Sequence, residues 1–180
     1  MVKVVSSLDS SLSDREIDQV TQLINDVYVV AENGLWKKVD GRPPDRVSRD
    51  EIALAIARGG VLIARDGDGI VGSVCVKLLR DDLAEFGMLV SHPERRGCGI
   101  GSALVSAAED WGRFQGCSTM QLELLQPCDR SHAVKSFLHD WYTRLGYRPK
   151  GTVPFEHDFP HLVEELLVPC DFTQYRKELS

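Results

Sequence analysis

The chain has 180 residues, of which 43% are apolar and 27% charged, and its formal net charge is −6 at pH 7. The acidic balance argues against general nucleic-acid binding, and the absence of an apolar run near ~18 residues, or of an apolar leader in MVKVVSSLDSS, argues against a membrane span and a secretory signal. The five cysteines are widely spaced and contain no CxxC pair, so we expect reduced thiols and a cytoplasmic protein. We expect one domain over residues 1–180, with neither nucleic acid nor a membrane as partner.

The first sixty residues predict one strand and two helices around a long loop. The run VKVVS (2–6) is typical of a strand. Two serine–glutamate pairs at capping-box spacing each precede apolar residues at helical spacing; they are Ser13 with Glu16 and Ser48 with Glu51. Between these helices, the polar and turn-rich run 31–47 predicts a loop.

From residue 61 onward, strands first follow one another through turns and then alternate with helices. The predicted strands are 61–65, 70–79, 84–91, 119–125, 147–155 and 170–179, with a hairpin turn at 66–69. The predicted helices are 101–114, 132–145 and a short candidate at 162–167. Large aromatic residues are expected on the apolar stripes of the two longer helices: Trp111, Phe114, Phe137 and Trp141. This succession indicates an α/β or α+β domain with a sheet of mixed direction.

Three alternating glycines, Gly97, Gly99 and Gly101, lie where a predicted strand passes into a helix. Without Cβ atoms the backbone N–H groups can face outward, and the helix start adds unpaired donors and the positive end of its dipole. The pattern therefore predicts a seat for a phosphate or diphosphate; the alternative is a plain turn. Neither the ATP loop GxxxxGK[ST] nor the dinucleotide fingerprint GxGxxG fits the run RGCGIG (96–101).

That run matches the pattern [RQ]xxGxG, and the wider stretch LVSHPERRGCGIGSAL resembles the acetyl-CoA-binding segment of the GNAT acetyltransferase superfamily. Downstream, LEL (122–124) resembles the fifth strand of that fold, and WYTRLGYR (141–148) resembles its closing element. The resemblance implies a mixed, mostly antiparallel central sheet that is splayed between strands 4 and 5 and flanked by about four helices. It also implies an acetyl-CoA-dependent N-acetyltransferase that moves an acetyl group to a primary amine by direct attack on the thioester.

The resemblance also implies which residues bind the cosubstrate. The pantetheine arm would lie along the main chain of Leu89, Val90 and Ser91. The diphosphate would bind the loop formed by Arg96, Gly97, Cys98, Gly99, Ile100, Gly101 and Ser102. Cys98 is interpreted as the occupant of a variable position and not as a nucleophile. Lys135 stands where many members carry a cofactor-contacting asparagine, so it either reaches a CoA phosphate or is a solvated helix residue.

Three side chains are candidates for proton transfer. Tyr142 occupies the position of the family's tyrosine and is expected to donate a proton to the departing thiolate; the alternative is a packed, amphipathic tyrosine. Glu85 on the fourth strand and Glu123 on the fifth are candidate bases for the incoming amine. Glu123 lies in the apolar run MQLELL, where an ionised acid needs a partner, so it could instead be a salt-bridged structural residue. Glu85 could simply be solvated.

The acceptor is less determined than the acyl donor. The acidic chain and Glu32, Glu85 and Glu123 favour a small cationic amine such as a polyamine, amino acid or amino sugar; a protein amine is an alternative. Trp36 and the loop around it could form a wall of the acceptor pocket. Rival hypotheses are a catalytically silent acyl-CoA sensor, a partner-binding module, or another phosphate-binding enzyme. No metal is expected, because Pro160 breaks the helix that would aim His157 and His161 at one ion, and a homodimer is left open.

Overall fold

Within residues 2–6, 12–67 and 69–180, which the computed structural model describes, seven β-strands form one sheet. They are β1 (Lys3–Ser6), β2 (Val61–Asp66), β3 (Gly69–Arg80), β4 (Leu83–Ser91), β5 (Thr119–Pro127), β6 (Arg148–Pro154) and β7 (Cys170–Glu178). Their order across the sheet is β1-β2-β3-β4-β5-β7-β6. The strand predictions are confirmed, and Asp68 of the predicted turn lies outside the described residues.

The chain divides into two compact units. The first takes in the chain up to Val27, Asp45–Met120 and Leu179–Ser180, and the second takes in Tyr28–Pro44 and Gln121–Glu178. In the first unit β1, β2, β3 and β4 pair antiparallel in succession. The Thr119 amide donates to the Asp82 carbonyl at 3.1 Å, so β4 and β5 start side by side and run parallel. The mixed, mostly antiparallel sheet is thus confirmed, and its splay stays a prediction.

Three helices begin in the first unit: α1 (Asp14–Ala31), α2 (Arg49–Ala57) and α3 (Ile100–Phe114). Both predicted capping boxes are present, with the Ser13 and Ser48 hydroxyls accepting from the amides three residues on. The expected apolar stripe of α3 is buried at Ile100, Leu104 and Ala108. Phe114, however, is 89% exposed, so that part of the prediction is wrong. Phe114 is the last residue of α3 and lies two residues beyond Gly112, the last buried position of the helix.

The second unit contains α4 (Ala133–Arg144), α5 (Phe155–Asp158), and the strands β7 and β6, which pair antiparallel. The helix expected at 162–167 is a 3₁₀ segment instead, Pro160–Glu165, in keeping with the proline at its start. Phe137 is 60% exposed, contrary to expectation, because α4 buries Lys135 and Tyr142 instead. Within the described residues, no helix has the length and apolar content that a bilayer crossing requires.

The predicted loop at 31–47 is ordered by the segment that precedes β7. Trp36 and Leu166 form an isolated antiparallel bridge, and the Leu167 amide donates to the Leu35 carbonyl at 2.8 Å. A buried apolar cluster accompanies this bridge: Leu35, Trp36, Leu125, Phe155, Val168, Cys170 and Phe172. The loop as far as Pro44 is therefore a packed part of the second unit.

Candidate active site

In the first unit, β4 is distorted just before the segment expected to hold the pantetheine arm. Met88 has a φ of 48°, a left-handed conformation that is uncommon for a side chain of this size. The register with β3 shifts at this point, since Ser73 faces Val90 whereas Cys75 faces Gly87. One extra residue of β4 is thereby accommodated as a bulge, which re-aims the strand that follows. The side chain of Val90 is buried, so any binding by this residue would use its main chain.

Gly72 on β3 allows α3 to approach the end of β4. A Cβ atom at this position would lie 2.8 Å from the Val90 carbonyl oxygen, 2.9 Å from Ile100 Cγ2 and 3.0 Å from Leu104 Cδ1. Such separations leave no room for a methyl group in a close-packed interior. The missing side chain therefore sets both ends of the loop that joins β4 to α3, although no sequence pattern singles out Gly72.

Replacing Gly72 by alanine is expected to lower the free energy of unfolding by about 1–3 kcal/mol, the usual cost of overpacking, and to weaken CoA binding by shifting the loop. Gly87→Ala on β4 is the matched control, since no atom lies within 4 Å of its Cβ position. Denaturant unfolding and calorimetric titration with CoA measure the two effects. Unchanged stability and affinity in Gly72→Ala would show that this contact does not set the loop.

The loop itself presents backbone donors to solvent. Gly97 and Gly99 are exposed, with φ of 78° and 77°, and no atom lies within 4 Å of either Cβ position. The first hydrogen bond within α3 runs from the Ala103 amide to the Gly99 carbonyl, at 3.0 Å. The amides of residues 100–102 therefore have no acceptor within the helix, and they lie at its positive end. This open arrangement fits a diphosphate, because a side chain at either glycine would occupy the space above the amides.

Two arginines precede the loop and differ in their surroundings. Arg95 lies 3.3 Å from Asp66 in a partly exposed ion pair, whereas Arg96 is exposed at the loop start. Cys98 is also exposed, and its Sγ is 4.0 Å from the Arg96 carbonyl oxygen. That the main chain and Arg96 attract an anion stays a prediction, in which the Cys98 thiol has no part.

Glu85 also belongs to the first unit, but it is not solvated. Its side chain is buried, and its Oε1 lies 2.8 Å from the ammonium of Lys77, the residue directly opposite on β3. The alternative of a solvated residue is wrong, because Glu85 is buried and the cross-strand lysine provides its counter-charge. A role as base stays a prediction.

Tyr142 lies in the second unit, on the buried side of α4, with 6% of its surface exposed. Its ring is 5.0 Å from that of Trp141, 6.1 Å from that of Tyr147 and 6.4 Å from that of Tyr175. Burial raises the pKa of the Tyr142 phenol well above its ordinary value of 10.0, and the neighbouring Tyr28 and Tyr175 phenols act in the same direction. The phenol therefore remains protonated across neutral and mildly alkaline pH, as a hydrogen-bond donor must.

Tyr175 on β7 forms a second polar group beside Tyr142, and sequence reasoning missed it. Its hydroxyl lies 2.7 Å from His139 Nδ1 and accepts from Gln126 Nε2 at 3.3 Å. The glutamine amide donates to the Tyr175 hydroxyl, and the direction of the hydrogen bond between this hydroxyl and His139 depends on the histidine tautomer. Alternation in the last strand could have indicated a buried tyrosine, but nothing in the sequence indicated its partners.

Glu123 lies on the face of β5 opposite to these tyrosine contacts. Its Oε1 accepts a 2.8 Å hydrogen bond from Gln174 Nε2 on β7, and its side chain is partly buried. One rung further along the same two strands, Arg176 Nε donates to Gln121 Oε1 at 2.8 Å. Glu123 therefore lies in a polar setting that adjacent strands create, although the local sequence MQLELL is apolar.

Lys135 is buried and is not a solvated helix residue. Its ammonium lies 3.0 Å from Glu32 Oε1, and both side chains are only 4% exposed. The other oxygen of Glu32 accepts from Trp36 Nε1 at 2.7 Å. The alternative of a solvated helix residue is wrong, because Glu32, the residue that follows α1, provides a buried counter-charge. A role of Lys135 in cofactor binding stays a prediction.

Replacing Lys135 by methionine should lower the free energy of unfolding by about 3–5 kcal/mol, because it leaves the Glu32 carboxylate buried without its cation. Lys38→Met, at an exposed lysine of the same unit, should leave stability within about 0.5 kcal/mol. Chemical denaturation of both variants measures the difference. A loss below about 1 kcal/mol would show that the pair is dispensable.

The described residues contain no cluster of three or more His, Cys, Asp and Glu side chains that could hold a metal ion. His157 Nδ1 lies 2.9 Å from its neighbour Asp158, and the ring of His161 lies 6.5 Å from that of Phe159. These two histidines thus have local partners of different kinds. Proton transfer and hydrogen bonding are the chemistry that the side chains described above can supply.

Comparison with known protein families decides which fold this is. The model of the acetyltransferase (GNAT) family matches residues 18–148, a stretch that contains the glycine loop, Glu123 and Tyr142. The chain belongs to the GNAT acetyltransferase family. It is accordingly an acyltransferase, and the family resemblance of the loop and of WYTRLGYR is confirmed.

Solved structures agree with this assignment. The chain is similar to smu.2055 from Streptococcus mutans (19% identity, TM-score 0.69, 99% of each chain covered). It is also similar to the IAA acetyltransferase from Bacillus cereus (17%, TM-score 0.65, 99% of this chain and 100% of that one). A third neighbour is Rv2747 from Mycobacterium tuberculosis, solved in complex with CoA and NLQ (14%, TM-score 0.66, 100% and 99%). No curated protein matches the sequence. Identities this low establish a shared GNAT fold and leave the substrate open.

Proposed function

We propose that this GNAT acetyltransferase uses acetyl-CoA to acetylate the amine of a small molecule. The observation that carries the proposal is the glycine loop, in which Gly97 and Gly99 are exposed and the amides of residues 100–102 have no acceptor within α3. The structural neighbour Rv2747 was solved with CoA, in keeping with a CoA thioester as acyl donor. Arg96 and the main chain of Leu89, Val90 and Ser91 would complete the binding of the donor. Residues 1–180 would act as one functional domain.

The reaction requires a neutral amine and a stabilised leaving group. The amine nitrogen attacks the thioester carbonyl, the new C–N bond replaces the C–S bond, and the amine loses one proton while the sulfur gains one. Glu123, with Glu85 as the second candidate, would accept the amine proton directly or through water. Tyr142 would donate a hydrogen bond to the sulfur as negative charge gathers there.

The raised pKa of Tyr142 refines that last role. An ordinary thiol has a pKa of about 8.5. Complete proton transfer to its thiolate from a phenol of much higher pKa is therefore unfavourable. A hydrogen bond that strengthens as the C–S bond breaks needs no complete transfer. The sulfur can then take its proton from solvent after departure.

The direct test is release of CoA thiol from acetyl-CoA with a panel of small amines, accompanied by calorimetric titration with CoA. We expect CoA to bind and at least one class of small amine to be acetylated. Binding of CoA without turnover of any amine would favour the silent sensor, and turnover only with peptide amines would favour a protein N-acetyltransferase. Absence of CoA binding would refute the proposal as a whole.

A further inference from the structure

The second unit carries a polar strip on the strand face that includes Glu123. We define the polar strip as Gln121 and Glu123 of β5 together with Gln174 and Arg176 of β7. Residues two apart in a strand share a face, and the bonds Gln174–Glu123 and Arg176–Gln121 place all four side chains on the same one. Tyr175 and Gln126, which bond each other, belong to the opposite face.

An apolar cluster borders one end of the polar strip. Leu125 and Phe172, each two residues beyond the Glu123–Gln174 rung, are buried in the cluster with Trp36 and Phe155. Along this face the apolar cluster is therefore followed first by the Glu123–Gln174 pair, the carboxylate rung, and then by the Gln121–Arg176 pair, the guanidinium rung. The two polar rungs are about 7 Å apart along the strands, from the rise of about 3.3 Å per residue.

Arg176 is the unusual member of the strip. Among the described residues its one hydrogen bond runs from Nε to a neutral amide oxygen, on Gln121, so the two terminal nitrogens keep their donors available. The side chain is only partly exposed. A partly buried guanidinium ordinarily pairs with a carboxylate, and this one has none among the described residues.

A second arginine lies opposite Arg176 on the neighbouring strand. Arg148 of β6 is the direct cross-strand neighbour of Arg176, an arrangement of like charges that destabilises a sheet. Arg148 donates through Nη1 to the carbonyls of Thr143 and Tyr147, at 2.9 and 3.2 Å, so it is bound at the end of α4. It therefore gives Arg176 no counter-charge, and an anion at this rung would supply one.

We infer that the acceptor is an amine that carries its own anionic group, a carboxylate or a phosphonate, a few bonds away from the nitrogen. Resting on the proposed function, this inference places the amine at the Glu123 rung and the anion on the terminal nitrogens of Arg176. A carboxylate binds a guanidinium fork through two parallel hydrogen bonds. Polyamines and simple alkylamines lack this group and meet a positive charge there, so the strip selects against them.

The test compares acceptors that differ only at the end remote from the amine. Thiol release is measured with β-alanine, 4-aminobutyrate, 5-aminovalerate and 2-aminoethylphosphonate, against propylamine, butylamine, pentylamine and the diamines of equal length. We expect at least one anionic acceptor to exceed its alkylamine and diamine counterparts in kcat/KM about tenfold or more. In Arg176→Gln that preference should fall about ten- to hundredfold, chiefly through KM, with Arg176→Lys intermediate because a lysine is monodentate.

Lys150→Gln is the control, because Lys150 is an exposed cation of β6 outside the polar strip. It should leave the acceptor preference unchanged. Equal turnover of alkylamines, diamines and anionic amines would overturn the inference and leave the proposed function standing, and a preference that survives in Arg176→Gln would also overturn it. Failure of every amine, with CoA bound, would overturn the proposed function and this inference with it.

Discussion

Replacing Gly99 by glutamate should raise the dissociation constant of CoA at least about a hundredfold, equivalent to about 2.7 kcal/mol. Gly99 caps α3 in a left-handed conformation, with φ of 77° and open space where a side chain would begin. A side chain there strains the backbone and covers the amides of the loop, and its carboxylate adds negative charge where a diphosphate is expected to bind. Isothermal titration with CoA measures the change.

Gly116→Glu is the matched control for this variant. Gly116 follows the other end of α3, has φ of 84°, is exposed and has no atom within 4 Å of its Cβ position. It therefore experiences the same backbone strain and gains the same charge, away from the glycine loop. Equal losses of CoA affinity in the two variants would show that general destabilisation is responsible. Full affinity in Gly99→Glu would remove the loop as the diphosphate site.

Replacing Tyr142 by phenylalanine should lower kcat about a hundredfold or more and change the affinity for CoA little. The substitution removes only the hydroxyl, while the ring keeps its packing against Trp141 and Tyr147. Because burial holds the Tyr142 pKa above its usual range, the phenol does not ionise at working pH. The pH profile of kcat should therefore keep its shape and shift downward by a constant factor. Steady-state kinetics between pH 6.5 and 9.5 would measure it.

Tyr147→Phe makes the same change on the neighbouring buried ring. We expect it to retain most of the wild-type kcat, since the proposed reaction assigns Tyr147 no proton or hydrogen bond. A Tyr142→Phe enzyme that keeps wild-type kcat would exclude the phenol as the group that stabilises the leaving sulfur. Loss of an alkaline limb of the pH profile in Tyr142→Phe would mean that the phenol ionises in that range, contrary to its burial.

Most of the fold could be predicted because its signals are local. Capping boxes mark the starts of α1 and α2, and the positive φ of Gly97 and Gly99 is a conformation that glycine readily adopts. The errors arose where tertiary packing overrides periodicity. Phe114 and Phe137 fit apolar stripes but are exposed, whereas Lys135 is buried because Glu32 meets it from another element.

Some residues of the candidate site could likewise be predicted from local sequence, and others could not. The loop and Tyr142 could be found because each lies within a short contiguous pattern. Gly72 could not be found, since its importance comes from the Val90 carbonyl and from side chains of α3. Arg176 could not be found either, since its partner Gln121 is 55 residues away in the sequence and becomes a neighbour only in the sheet.

The most direct measurement is a crystal structure of this protein with bound CoA. We predict the diphosphate oxygens within hydrogen-bonding distance, about 2.7–3.2 Å, of amide nitrogens between Gly97 and Ser102, and the sulfur near the Tyr142 hydroxyl. A diphosphate bound away from those amides, or CoA lodged elsewhere on the protein, would contradict the account.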